Sequence, residues 1–372
     1  MNILILASGG GVAGSTYSIS YLANGLAKLG NKVFLGLNEN TLMDQLVDPA
    51  LVQKIYLPFR KKFDLQTAQI LKELIEKENI ELINAQSSKA RYLGPLINLR
   101  YRKRIPIVQT RRQTPLEVNN LNIKAQTFFN NAFSDYLITV SEELKRIFVD
   151  RGVKANKIKV IYNGTPSEQY QQDLEKQQEL RKKLKLSEND IVIGCISRLK
   201  NQFEIVEALQ FLPENWKVIF VGFTEEEYYK KYPEHYRIDQ LKQQVYCLGS
   251  VQDKKEVLQY YPLMDLNILA STTDGFGLTL VESMAMGTPV IGTNYAGIKD
   301  VIDHEENGLL YNFKDINGLV QQIKRLIEDK ELRSKLIENG KKTAFEKYAV
   351  ENTLKNHHDF FLKVINNKVG KL

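Results

Sequence analysis

Short apolar runs alternate with amphipathic stretches along almost the whole chain, and this alternation constrains the fold more than any other feature. In the first half the runs are Asn2–Ala7, Lys32–Leu37, Glu81–Asn84, Ile105–Gln109, Tyr136–Val140 and Ile158–Ile161. Between them Ser15–Leu29, Leu65–Glu78, Lys89–Arg100, Lys124–Ala132 and Glu142–Arg151 read as amphipathic helices. Ser141, ahead of Glu142 and Glu143, suits an N-cap, and Gly152 suits the position just past a helix end. Such alternation implies βα units and a parallel sheet covered on both faces. After the turn signal Asn163-Gly164-Thr165-Pro166, a second series follows. Its strands are Asp190–Ile196, Lys217–Val221, Val245–Leu248, Leu266–Leu269 and Pro289–Gly292. Its helices are Glu204–Leu212, Asp253–Tyr260, Leu280–Met286, Ile316–Ile327, Glu331–Lys347 and Val350–Ile365.

A chain of 372 residues exceeds what one hydrophobic core usually serves. The expected architecture is therefore α/β, with two doubly wound, Rossmann-like domains and ligands at the carboxyl ends of the strands, in a cleft between the domains. The expected boundaries are a first domain over 1–166, a linker with a surface helix over 167–186, and a second domain over 187–347. A C-terminal helix over 348–372 is expected to return to the first domain.

The net charge is +7, and it is unevenly spread. From Lys89 to Arg112 there are eight cations (Lys89, Arg91, Arg100, Arg102, Lys103, Arg104, Arg111 and Arg112) and no acid. This suits an anionic partner, such as a membrane surface or a phosphorylated acceptor, and equally a solvated helix face. No nucleic-acid motif or stacking platform accompanies it, so nucleic acid is not an expected partner. No apolar run is long enough to span a bilayer. The apolar start reads as a buried strand rather than a signal peptide, and two cysteines, Cys195 and Cys247, fit a reducing compartment. The expected location is the cytoplasm, at the inner face of the membrane if the basic segment docks there.

Gly9-Gly10-Gly11-Val12-Ala13-Gly14 follows a strand and opens a helix, so it meets the dinucleotide fingerprint literally. Three readings are open: a loop with Gly10 and Gly11 facing a ligand, a structural turn, or a nicotinamide site with Glu39 holding a ribose.

A second loop carries more chemistry. Asp274 and Glu282 stand eight residues apart around Gly275-Phe276-Gly277-Leu278-Thr279. Small residues let backbone N–H groups approach a ligand, and the helix start beyond them favours a diphosphate. Glu282 could then accept hydrogen bonds from ribose hydroxyls, and Asp274 from a sugar. The competing readings are structural. Thr279-Leu280-Val281-Glu282 is also a capping box, and Asp274 suits a plain turn.

This stretch resembles the signature of retaining glycosyltransferase family 4, the glycosyl transferases of group 1, whose fold is the two-domain GT-B arrangement. The resemblance continues through Ala285-Met286-Gly287-Thr288-Pro289-Val290-Ile291, Thr293-Asn294-Tyr295-Ala296-Gly297-Ile298 and Asn307-Gly308-Leu309-Leu310. Upstream it includes Val160-Ile161-Tyr162-Asn163-Gly164 and Ile196-Ser197-Arg198-Leu199. It implies that Arg198, with Lys200 as the nearest candidate for its partner, neutralises the donor diphosphate. It implies that Glu282 holds the ribose and Asp274 the donor sugar. The backbone from Phe276 through Gly277 and Leu278 to Thr279 would lie near phosphate or sugar, and the base near Gly249 and Val251.

Two departures stand out. The family's first acid is normally glutamate, and here it is Asp274. Where the family carries histidines in its first domain, this chain has Ile83-Asn84-Ala85-Gln86-Ser87-Ser88 and Gln109-Thr110-Arg111-Arg112, with Arg112 in a histidine's place. Arg112 would contact phosphate or an anionic acceptor, or be a salt-bridged structural residue. No general base of histidine type is expected at those positions, and no metal-ligand cluster is visible. The function implied is retaining, metal-independent transfer of a hexose-type sugar from a nucleotide diphosphate sugar of UDP type. The acceptor would be a glycan or lipid-linked intermediate in cell-surface polysaccharide or lipopolysaccharide synthesis, and no cofactor beyond the sugar nucleotide is expected. Two alternatives are a sugar-nucleotide epimerase and a nucleotide-sugar-binding subunit without turnover.

Overall fold

The structure is a computed structural model that describes residues 1–61, 63–114 and 120–369. It divides into two units. One comprises Met1–Thr165 with Val350–Leu372, and the other Pro166–Ala349.

The first unit is built on a seven-stranded sheet: β1 (Asn2–Ala7), β2 (Lys32–Leu37), β3 (Val52–Tyr56), β4 (Leu82–Ala85), β5 (Ile107–Arg111), β6 (Tyr136–Thr139) and β7 (Ile158–Val160). The order is β3-β2-β1-β4-β5-β6-β7, and neighbouring strands all pair in parallel. Ile3 to Ala7 are fully buried because helices cover both faces of the sheet. β3 was not expected. Its sequence, Val-Gln-Lys-Ile-Tyr, is half polar because it is an edge strand that buries only Val52 fully. The helix Val350–Val369 packs Phe361, Val364 and Ile365 into this unit's core beside Ile19 and Leu26. Residues 370–372 of the expected C-terminal segment lie outside the described residues.

The second unit holds a six-stranded parallel sheet: β8 (Val192–Ile196), β9 (Lys217–Val221), β10 (Gln244–Cys247), β11 (Leu266–Leu269), β12 (Val290–Thr293) and β13 (Leu309–Tyr311). Its order is β10-β9-β8-β11-β12-β13. β13 was read only as a turn because it is three residues long, too short for a periodic signal. The stretch expected as a linker, 167–186, belongs to this unit. Its helix Leu174–Lys183 buries Leu180, and Leu184 and Leu186 follow it into a cluster with Tyr260 and Tyr261. Those three leucines outweigh the Gln- and Lys-rich surface that suggested a linker. The helix expected over Glu331–Lys347 runs as an α-helix from Lys330 to Lys342 and continues as a π-helical turn, Thr343–Lys347.

Candidate functional site

The carboxyl ends of β8, β10 and β11 bring together the residues expected to bind a donor. The loop after β11 is held by its own backbone. Asp274 N–H and Thr273 N–H donate to Ser271 Oγ, and Thr272 N–H donates to Asn201 Oδ1 on the loop after β8. Gly297, beyond β12, donates its N–H to the Asp274 carbonyl at 3.0 Å. The two segments press so closely that a Cβ at Gly297 would stand 2.0 Å from the Gly275 oxygen and 2.6 Å from the Phe276 nitrogen. Phe276 itself is an anchor. Its ring is buried and meets Tyr348 edge-on at 5.1 Å, so only its backbone faces the loop.

Gly277 is the N-cap of the helix Leu278–Ala285, with φ +86°, a left-handed conformation natural to glycine. No side chain caps this helix. Its first-turn N–H groups at Leu278 and Thr279 sit at the partly exposed end, with the positive end of the helix dipole. The capping box anticipated from Thr279 to Glu282 does not form. The helix begins at Leu278, which puts Thr279 inside the first turn rather than before it.

Glu282 is instead a buried acid paired with a partly exposed lysine. Its Oε1 lies 2.5 Å from Lys254 Nζ, and its Oε2 accepts from Tyr261 O–H at 3.2 Å. Lys254 begins the helix Lys254–Tyr260, just beyond Gly249 and Val251 on the segment after β10. Gly249 adopts φ +64°, accepts from Gly222 N–H at 2.6 Å and donates to the Phe223 carbonyl. Val251 is half-buried against the cluster around Tyr260.

Lys200 and Asp274 pair directly with one another. Gln202 is fully buried and fixes the Lys200 loop. Its amide N–H donates to Ser197 Oγ at 2.6 Å and to the Arg198 carbonyl at 2.9 Å, and its oxygen accepts from Lys200 N–H. Tyr232 O–H donates to the Lys200 carbonyl and Lys231 Nζ to the Leu199 carbonyl. Arg198 is exposed and makes no ion pair among the described residues. Two acids and two lysines therefore cancel in charge, and Arg198, on the same loop as Lys200, is left without an acidic partner among the described residues. Phosphate suits that combination.

In the first unit Gly9 and Gly10 have φ +99° and +130°, and Gly9 N–H is bound by Asn38 Oδ1 at 2.7 Å. A Cβ on Gly10 would strike Thr41, whereas Gly11 faces open space. Glu39 is exposed beyond Asn38. The basic segment is not one surface. Lys89, Arg100, Arg102 and Arg104 are exposed, and Lys103 pairs with Glu76 at 2.7 Å. Arg91, Arg111 and Arg112 turn inward, and burial pushes Arg112 down to about 10. Arg112 is bound by amides rather than acids, donating to Gln86 Oε1 at 3.1 and 3.2 Å and to Asn163 Oδ1. It is not salt-bridged among the described residues. His357, on the C-terminal helix, is buried with its Nδ1 2.8 Å from the Thr353 carbonyl. Burial drives its imidazole down to about 4, helped by the positive charge of Arg112.

Sequence reading missed Lys254, Tyr261 and Gln202. Lys254 carried one usable signal, its place in the first turn after Asp253, just past the Gly249 and Val251 assigned to the base. Tyr261 and Gln202 carried none, because their partners lie 21 residues away in one case and across a loop in the other. Cys195 and Cys247 are both unpaired, and burial pushes their thiols up to about 11 and about 12.

Residues 12–169 match the family model described as Glycosyltransferase Family 4, and residues 176–343 that described as Glycosyl transferases group 1. The chain is 26% identical over 327 residues to N-acetyl-alpha-D-glucosaminyl L-malate synthase of Bacillus anthracis, covering 83% of this chain and 82% of the relative. It is 27% identical over 282 residues to UDP-Gal:alpha-D-GlcNAc-diphosphoundecaprenol alpha-1,3-galactosyltransferase of Escherichia coli, covering 72% of each. Among solved structures, HepE of Anabaena in complex with UDP-glucose superposes with a TM-score of 0.82 at 23% identity, covering 100% of both chains. This last likeness is one of fold.

Proposed function

The chain belongs to the family 4, group 1 glycosyltransferases, and on that premise we propose that it transfers a hexose-type sugar from a UDP-sugar, with retention, to a glycan or lipid-linked acceptor of surface polysaccharide or lipopolysaccharide synthesis. The observation that carries this reading is the uncapped helix start at Leu278 and Thr279, on the loop whose Asp274 pairs with Lys200 of the loop that also carries exposed Arg198. The helix end and Arg198 would take the diphosphate, Glu282 the ribose and Asp274 the sugar. Within the first unit, Gly11, which faces open space, would let a ligand approach the backbone of its own loop closely. The solved complex of HepE with UDP-glucose supports the choice of donor, and the diphosphoundecaprenol substrate in the name of the Escherichia coli relative supports that of acceptor.

In the proposed reaction the acceptor hydroxyl oxygen bonds to the anomeric carbon as the bond from that carbon to the β-phosphate oxygen breaks. The departing phosphate accepts the hydroxyl proton on the same face, so no protein base is required. Negative charge grows on the diphosphate as it leaves, and the guanidinium of Arg198 stabilises it. Lys200 joins once it exchanges Asp274 for phosphate. With these cations supplying the neutralisation, the reading needs no bound metal or cofactor, and turnover should be unchanged by a chelator. No helix among the described residues is long and apolar enough to cross a membrane. The exposed Lys89, Arg100, Arg102 and Arg104 would hold the enzyme to the anionic cytoplasmic face of a membrane.

A thermal-shift screen of nucleotide sugars tests the donor. A ligand at 100 times its Kd adds roughly 2.7 kcal/mol. The expected result is stabilisation by a UDP-sugar that Glu282→Ala and Arg198→Ala both weaken. If no nucleotide sugar stabilises the protein, or both variants respond normally, the assignment fails. Conversion of a UDP-sugar without acceptor would point to an epimerase instead.

A further inference from the structure

The inward-turned arginines of the first unit are not all explained by the donor. Arg111 ends β5 and is 8% exposed. Strand alternation puts it on the face opposite Arg112, towards the helices Asn120–Phe133 and Glu142–Asp150. There one terminal nitrogen donates to Asn130 Oδ1 at 2.6 Å, and the guanidinium stands 5.4 Å from the Phe148 ring. Its Nε is buried and has no partner. Arg91 belongs to the short helix Ala90–Tyr92 after β4, and its Nε is likewise buried without a partner. Tyr92 packs on Phe129 at 4.8 Å, next to the Asn130 that binds Arg111, so the short helix carrying Arg91 packs on the same helix that binds Arg111. Thr139, opposite Arg111 in the β5–β6 register, adds a buried hydroxyl with no partner.

No carboxylate among the described residues pairs with either arginine. Burial pushes Arg91 down to about 10 and Arg111 well below its ordinary value, and the charge of Arg91 depresses Arg111 further. Proteins rarely bury unpaired charge, and rarely two of one sign together. Two guanidiniums held this way suit a ligand that brings matching negative charge. Guanidinium forks bind phosphoryl oxygens in pairs. A phosphoryl monoester carries about −1.5 to −2 charges at neutral pH, which matches two arginines better than a carboxylate does. Arg91 is only partly buried, which leaves the pair open to solvent on that side.

We propose that Arg91 and Arg111, with the Thr139 hydroxyl, bind a phosphoryl group carried by the acceptor. The proposal rests on the transferase reading above for calling the ligand an acceptor, but the site is testable without it. Full-length protein is saturated with UDP, to occupy the donor phosphates, and titrated calorimetrically with methyl phosphate. The expected result is saturable binding that Arg91→Met and Arg111→Met each weaken roughly 10-fold or more. In phosphate-free buffer the melting temperature of Arg111→Met should equal or exceed that of the parent, because an unpaired buried charge has gone. An arginine with a purely structural role would lower it.

Absence of methyl phosphate binding, equal binding by both variants, or equal affinity for acetate would overturn the proposal. If Arg111→Met does not fold, Arg91→Met decides alone. Competition between methyl phosphate and vesicles containing phosphatidic acid would place the phosphoryl group on a lipid; binding without competition would place it on a soluble or glycan-borne ester. UDP-sugar stabilisation should be unchanged in Arg91→Met. If it is missing in the parent as well, the donor reading has failed, and the methyl phosphate titration on the ligand-free protein still judges this site.

Discussion

Replacing Gly297 by alanine adds one methyl group and tests whether the loop after β11 is the donor loop. Gly297 has φ −72° and ψ −10°, so alanine meets no backbone penalty there. By its effect on the unfolded chain alone, the change would stabilise the protein by about 0.4–1 kcal/mol. The tertiary packing reverses that sign. The new Cβ would stand 2.0 Å from the Gly275 oxygen and 2.3 Å from its carbon, backbone atoms that cannot rotate away. To reach the 3.4 Å of ordinary contact, the Gly275 carbonyl must retreat by about 1.4 Å and carry Asp274 and Phe276 with it. Overpacking of this kind destabilises by about 1–3 kcal/mol. The functional effect should be larger than the loss of stability suggests, because a misplacement of about 1 Å in a positioning element lowers rate roughly 100-fold. The assay compares kcat/KM for transfer or slow donor hydrolysis, and nucleotide-sugar affinity, in Gly297→Ala and in Asn294→Ala, an exposed neighbour on the same loop. The expected outcome is a folded Gly297→Ala protein with about 100-fold lower kcat/KM and an almost unaffected Asn294→Ala. A Gly297→Ala protein with parental kinetics would refute the reasoning that this loop's position sets donor geometry.

Three further outcomes follow from the charges. Lys254→Met leaves the Glu282 carboxylate buried with Tyr261 as its one partner among the described residues, and should lower unfolding stability by on the order of 3 kcal/mol in urea titrations; adding Glu282→Gln should recover much of this without restoring nucleotide binding. Asp274→Asn releases Lys200, so UDP should bind several-fold tighter in calorimetry while sugar transfer falls, and unchanged UDP affinity would remove Lys200 from the phosphate site. His357 is depressed from 6.5 to about 4, so below 6.5 the unfolded chain binds the proton and the folded one does not. Its contribution is present above pH 6.5 and is lost as pH falls towards 4, by about 3 kcal/mol across that window. Thermal melts of His357→Leu should show a flatter pH dependence there than the parent.

Much of the fold was legible because buried parallel strands announce themselves as apolar runs. β1, β2, β9 and β11 begin and end where their patterns do. Elements that bury less were missed or misread. β3 is a half-polar edge, β13 spans three residues, and the helix Leu174–Lys183 buries one leucine of its ten residues while two more anchor the turn beyond it. Within the site, the order Asp274, Gly277, Glu282 was readable as a local motif. The choice between a capping box and a free acid at Glu282 was not, because it depends on whether the helix starts at Leu278 or two residues later.

What the sequence determined by itself is the class of chain: two tandem βα series, a family signature, and the residues able to meet a diphosphate. These are local properties, carried by periodicity and by residues within one or two turns of each other. The tertiary structure alone decided how those residues are paired and packed. It paired Lys200 with Asp274, brought Lys254 to Glu282 from another helix, and set Gly297 against Gly275. It also divided one basic segment into exposed cations and inward-facing arginines. Charge compensation and close packing act through space between residues distant in the chain, so no local pattern encodes them.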